Sequence, residues 1–210
     1  MRCGRGRGIV LLMAELFLPF RTATPRPMTE ARSTLIVSGI QALRAHSLYE
    51  RYVELLSPKL RQDIMSLVAG LWIPGALAVE HYRTIDQLAL SKSTIEAIGA
   101  EVAQRGSKTV LSRGAALIKQ GKPTPWDILS MSHRNLDNNW RGSDIMVLKE
   151  APQEALLVWA GQPCASVPYF VTSWGGFLRA VVSGFCKTAF HRIAHDRCSP
   201  TTIAIHLSWV

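Results

Sequence analysis

Cysteine is scarce in this chain: four thiols in 210 residues, Cys3, Cys164, Cys186 and Cys198, with no Cys-x-x-Cys pair. That scarcity excludes a disulfide scaffold, and free thiols in a reducing cytoplasm are the expectation. Long apolar runs are missing as well. No stretch reaches the roughly 20 residues that cross a bilayer, so no transmembrane segment is expected. Nucleotide and hydrolase signatures are also absent. In Arg-Gly-Ser-Lys-Thr, Ser107 stands where a glycine should precede Lys108, and in Gln-Gly-Lys-Pro, Pro123 stands where a hydroxyl must hold magnesium. The stretch Val181-Val182-Ser183-Gly184 lacks the glycine that a nucleophile elbow needs two residues before its serine.

What is present suits one globular domain. The chain is 48% hydrophobic and 19% charged, and 210 residues are enough to bury a full core. Its net charge of +9 is confined to two places. Residues 1–27 hold five arginines against Glu15, and residues 104–142 hold seven cations against Asp127 and Asp137. Residues 1–27 show a basic start, a short apolar run broken by Glu15, and then Pro25 and Pro27, a poor match to a cleaved leader. We expect a disordered extension over 1–27 and a single domain over 28–210.

From Met28 to Trp140 apolar residues recur three and four apart, as on the stripe Ala78, Tyr82, Ile85 and Ala89, and predict helices. Ser57-Pro58 and Thr124-Pro125 are helix starts, the first opening a helix to Trp72 and the second one to Trp140. Beyond Gly142 the period changes. Residues 143–151 and 154–161 alternate around Pro152-Gln153 and predict a hairpin. A helix carrying Phe170, Trp174, Phe177, Leu178, Val181 and Val182 follows, and then a second hairpin, 187–195 with 201–209. The fold class is α+β: an N-terminal helical half packed on a small antiparallel sheet made of two hairpins separated by a helix.

Candidate chemistry is sparse. His191, His195 and Cys198 fall within eight residues, and His206 lies on the returning strand, so a metal site has to be weighed. No second ligand pair closes the set, and Ile193 between the imidazoles marks a partly apolar face, so ordinary strand histidines are expected. His133 and Asp137, one helical turn apart, fit a solvated helix end better than a catalytic dyad. On a helical wheel Arg105, Lys108 and Lys119 share a face opposite Ala103, Val110 and Leu117, without aromatics that could stack on bases. A solvated face is expected there, and nucleic acid is not the expected partner.

The stretch from Trp72 to Leu90, the helix ending in Asn-Asn-Trp140, the hairpin, the segment 166–182 and a last strand ending in Leu-Ser-Trp209 resemble an uncharacterised family of myxobacterial proteins. That family is similar in outline to heme NO-binding, vinyl-reductase-type and Golgi-trafficking (TRAPP-like) ligand-binding domains. The resemblance implies a pocket between helices and sheet, with Trp72, Trp159, Tyr169, Phe170 and Phe177 as its lining candidates. Heme-binding relatives carry a Tyr-x-Ser-x-Arg element that holds the porphyrin propionates. Trp159, Gly161 and Pro163 stand at those positions here, so heme is expected to be disfavoured. The reading is a non-catalytic ligand-sensing or protein-interaction module in the cytoplasm whose partner is an apolar small molecule or another protein. An enzyme of unknown reaction is the alternative, and would need at least two titratable groups converging in a cleft. Nucleic-acid binding through 104–122 is the third reading.

Overall fold

Glu15–Leu18 (β1) adds an edge strand to the hairpin formed by Asp144–Ala151 (β5) and Glu154–Ala160 (β6). In this computed structural model, which describes residues 14–117 and 123–210 apart from the side chains of 106–117, the hairpin is the centre of the fold. Its register sets Ile145 opposite Trp159 and Val147 opposite Leu157. The second hairpin, Ala189–Ile193 (β7) with Thr202–Trp209 (β8), completes an antiparallel sheet of order β1-β5-β6-β8-β7. Alternation explains the two faces. Ala155, Leu157 and Trp159 point into the main core, while Leu156 joins Ala194 and Ala204 in a small cluster on the back.

The helical half packs against the front of that sheet. It comprises Ser33–Ala45 (α1), Tyr49–Leu55 (α2), Pro58–Met65 (α3), Gly75–Asp86 (α4), Lys92–Leu117 (α5), Pro125–Ser130 (α6) and Ser132–Asn139 (α7). Pro168–Ser183 (α8) runs between the two hairpins. Local chemistry sets several starts. The Ser57 hydroxyl accepts from Leu60 N–H, and Thr124 with Asp127 forms a reciprocal capping box. Ser91 caps α5 by accepting from Thr94 N–H. The expected α+β class, helices on an antiparallel sheet of two hairpins, is what the chain adopts.

Three expectations change. The helix drawn from Ser57 to Trp72 stops at Met65, because buried Ser33 hooks the following loop: its hydroxyl donates to Val68 O at 2.7 Å and accepts from Leu71 N–H at 2.9 Å. Trp72–Pro74 (β3) then pairs with Glu30–Arg32 (β2), which also pairs with Trp140–Arg141 (β4), giving a second, three-stranded sheet. The helix drawn from Pro125 to Trp140 is interrupted at Met131, where Ser132 Oγ turns back to Leu129 O.

The third change concerns the extension over 1–27. From residue 14 it belongs to the domain: β1 pairs with β5, Phe17 packs on Trp126 at a ring distance of 4.8 Å, and Arg21 binds Asp144 and Asp137. The buried carboxylate of Asp144 explains the docking, since it would otherwise lack its cation.

Helices α5 and α8 meet backbone to backbone at two glycines. A Cβ on Gly99 would collide with the Ser173 carbonyl oxygen, and one on Gly176 with that of Glu96. The missing side chains let the two backbones touch, which fixes the width of the space between α1, α5, α7 and α8.

Candidate functional site

That space is a cavity of about 690 Å³. Leu35 on α1, Val102 on α5, Ile128 and Leu136 on the α6–α7 pair, Ile145 and Leu157 on the hairpin, and Trp174, Phe177 and Val181 on α8 supply its apolar wall. The volume and lining are those of a small-molecule site. Among the described side chains, three cations, Arg32, Arg105 and Arg134, border it. Arg32 donates to Gly70 O and Asn138 O, and Arg105 pairs with Glu101. Arg134, exposed on α7, has no hydrogen bond or ion pair among the described residues. An amphiphile with an apolar body and acidic groups matches this arrangement.

A second, smaller void of about 40 Å³ adjoins it, and Leu35, Val102, Trp140, Trp174 and Phe177 border both. Its most polar wall is His81, wholly buried on α4. The Tyr52 hydroxyl lies 2.7 Å from His81 Nδ1, and both residues are shut off from solvent. Burial pushes the imidazole down to about 3 and raises the Tyr52 phenol, so both are neutral. Tyr52 O–H has no other acceptor among the described residues, so it donates to Nδ1 and leaves the hydrogen on Nε2. That Nε2 has no partner, and neither has Trp174 Nε1. A buried unsatisfied donor costs about 1–3 kcal/mol, so the void wall carries a polar debt unusual for a core.

The aromatic residues singled out from the sequence divide. Tyr169 and Phe170 border the small void, and Phe177 borders both spaces, stacked on Trp174 at 4.7 Å. Trp159 is core: fully buried, it donates to Ser143 Oγ at 3.0 Å and packs on Trp140, Phe170 and Trp174. Trp72 is a surface residue of the small sheet, clasped between the guanidinium groups of Arg32 and Arg141 at 4.2 and 4.4 Å. Neither of these two tryptophans borders either of the two spaces described.

The cluster of His191, His195 and Cys198 is not drawn together. His191 turns onto Gly175 and lies 3.4 Å from Glu96, His195 is exposed on a 3-10 turn after β7, and Cys198 Sγ faces the backbone of Ala204. Among the described residues no group of three or more His, Cys, Asp or Glu could hold a metal ion. His133 Nε2–H donates to Ile145 O at 2.8 Å, and Asp137 binds Arg21. The side chain of Lys108, and the whole of Lys119 and Lys122, lie outside what the structure describes. Sequence reasoning missed His81, Trp140, Arg32 and Arg134, whose shared setting arises from elements far apart in the chain.

No protein-family profile matches this chain, and no curated protein matches it in sequence. Solved structures do match in shape. The Fe(II) unliganded H-NOX protein from K. algicida shares 8% identity at a TM-score of 0.63, over 85% of this chain and 96% of that one. A structure solved to probe heme distortion in the H-NOX family has 10% identity and a TM-score of 0.59, over 85% and 94%. A third, concerned with heme redox potential and protein-induced porphyrin distortion, has 10% identity and a TM-score of 0.57, over 85% and 99%. The chain has the H-NOX fold.

The resemblance to heme NO-binding domains therefore holds at the level of fold. The expectation that heme is disfavoured is overturned by the same comparison, because these structural neighbours are heme-binding H-NOX proteins. The physical reason lies in the cavity. Propionates require cations at the cavity rather than one particular hairpin motif, and Arg32, Arg105 and Arg134 border this one. For the iron the described lining offers a sulfur donor, the Met131 thioether, and no histidine or cysteine; His81 borders the small void and not this cavity. The described lining thus offers cations that would suit carboxylates and one thioether that would be available to a metal.

Proposed function

We propose that this chain is a ligand-sensing module whose main cavity holds a largely apolar molecule with acidic groups, heme being the first candidate. One observation carries the reading: an apolar cavity of about 690 Å³, bordered by three arginines of which Arg134 is unpaired among the described residues, in a chain with the H-NOX fold. Arg32, Arg105 and Arg134 would take the carboxylates, Trp140, Trp174 and Phe177 the ring, and Met131 the metal. When bound, heme supplies an iron that takes up a further small ligand. The chain's own part is to exclude water, orient the ring and neutralise the acids.

Catalysis has less support. The titratable groups that approach the cavity do not form an acid/base pair: His81 is held neutral by burial, and Cys164, elsewhere in the core, is pushed up to about 12 by burial. No helix among the described residues is long and apolar enough to cross a membrane. Together with free thiols at Cys164, Cys186 and Cys198, this supports a cytoplasmic module.

Titration of the intact chain with hemin, followed by the Soret band and by quenching of tryptophan fluorescence, tests the proposal. Saturable one-to-one binding that weakens about tenfold or more in Arg134→Glu is expected. Non-saturating absorbance, unchanged by that substitution, would reject heme. A fatty acid titrated in the same way then asks whether another amphiphile is the ligand.

A further inference from the structure

Among the described residues, two of the three buried side-chain nitrogens without a partner, His81 Nε2 and Trp174 Nε1, belong to residues that border the same small void. His81 is wholly buried, and its Nε2 faces α1, where a Cβ on Gly39 would stand 3.6 Å away; Gly39 is itself a wall of the void. Trp174 reaches the void from α8. Both nitrogens are donors: indole Nε1 always carries its hydrogen, and Tyr52 O–H at His81 Nδ1 leaves the imidazole hydrogen on Nε2.

We propose that the void is a binding site for one small, uncharged hydrogen-bond acceptor of about water's size, held between His81 Nε2–H and Trp174 Nε1–H. Size sets the limit, since about 40 Å³ holds one water or a two-atom molecule. Charge sets the class. Leu35, Ile85, Ile98, Val102 and Phe170 make much of the wall apolar, the hydroxyl-bearing residues Tyr82, Tyr169 and Ser173 complete its polar part, and among the described residues no cation borders the void, so an anion would be stranded there. The two unpartnered groups at this wall are both donors, and they select an oxygen-type lone pair.

The site reaches the main cavity through Trp174, a wall of both spaces, stacked on Phe177 with their rings 7° from parallel. Occupation of the void holds the indole in place and so shapes the wall that a larger ligand meets. His81 is a positioning residue for that wall. The inference does not depend on what fills the main cavity.

Nuclear magnetic resonance on the isotope-labelled full chain tests it. The indole signal of Trp174 is identified by its loss in Trp174→Phe. Expected are cross-peaks from a long-lived water to both Trp174 Hε1 and His81 Hε2, a protonated-type nitrogen shift at His81 Nε2, and no response of the Ile85 and Ile98 methyl groups to dissolved xenon. His81→Phe should abolish the water cross-peak at Trp174. A xenon response at Ile85 and Ile98 without water cross-peaks would overturn the proposal, as would an unprotonated Nε2. Should His81→Phe fold poorly, the measurements on the unsubstituted chain still decide.

Discussion

Arg21 closes on Asp144 with both its backbone and its side chain: N–H donates to Oδ2 at 2.6 Å and Nε–H to Oδ1 at 3.0 Å, across 123 residues of chain. Asp144 is almost wholly buried at the start of β5, and Arg21 extends on to Asp137 of α7, so this one side chain ties the arm to the hairpin and to the cavity wall. Arg21→Ala should lower stability by about 1–3 kcal/mol, because it takes the guanidinium away from a buried carboxylate that keeps only its backbone N–H donors and the nearby His133. Urea melts measure the loss, and Asp144→Asn added to Arg21→Ala should recover part of it. Removal of residues 1–27, which from sequence alone should leave the domain folded, takes β1 away as well and should cost more than Arg21→Ala.

Glycine at the α5–α8 contact gives a second prediction with an internal control. Gly99→Ala and Gly176→Ala each set a methyl group into a facing carbonyl, so both should destabilise by roughly 1–3 kcal/mol or more. Gly39→Ala, on α1, meets only an ordinary contact with His81 and gains helix propensity of up to about 1 kcal/mol. Thermal melts should rank Gly39→Ala at or above the unsubstituted chain, with the other two well below it. Equal losses for all three would deny the close approach.

Burial holds His81 neutral, with its pKa lowered from 6.5 to about 3, and this sets a pH dependence. The unfolded chain takes up a proton near 6.5 that the folded chain refuses until about 3, so this contribution is complete above 6.5 and is lost as pH falls through that window. The slope approaches about 1.4 kcal/mol per pH unit. Carboxylates titrate in the same range, so the informative quantity is the difference between the unsubstituted chain and His81→Phe. That difference should shrink between pH 6 and 4 at about the stated slope. A constant difference would mean that His81 is not buried and neutral.

Much of the carboxyl half was legible, because β5, β6 and β8 alternate with period two and α8 carries its aromatic residues at helical spacing. The small sheet was not. Strands of two or three residues such as Glu30–Arg32 and Trp140–Arg141 have no period to read and exist through pairing across more than 100 residues of chain. The early end of α3 was hidden for the same reason, since Ser33, far upstream, captures the loop after it. Tyr169, Phe170 and Phe177, which border the two spaces, could be read as a group because one helix carries them. His81 read as one polar residue on an amphipathic helix, and only Tyr52, 29 residues away, makes it a buried pair. Arg32 and Arg134 read as surface charge, which sequence cannot distinguish from charge at the mouth of a cavity.

Native mass spectrometry of the intact chain, prepared in cells supplied with heme, tests the central claim most directly. The account predicts a one-to-one adduct with the mass of heme, or of another acidic amphiphile, that is weakened in Arg134→Glu and lost when a bulky residue such as Trp replaces Val181 in the cavity wall. A chain that carries no adduct, and gains none when hemin or a fatty acid is added, would contradict the reading of this cavity as a ligand site.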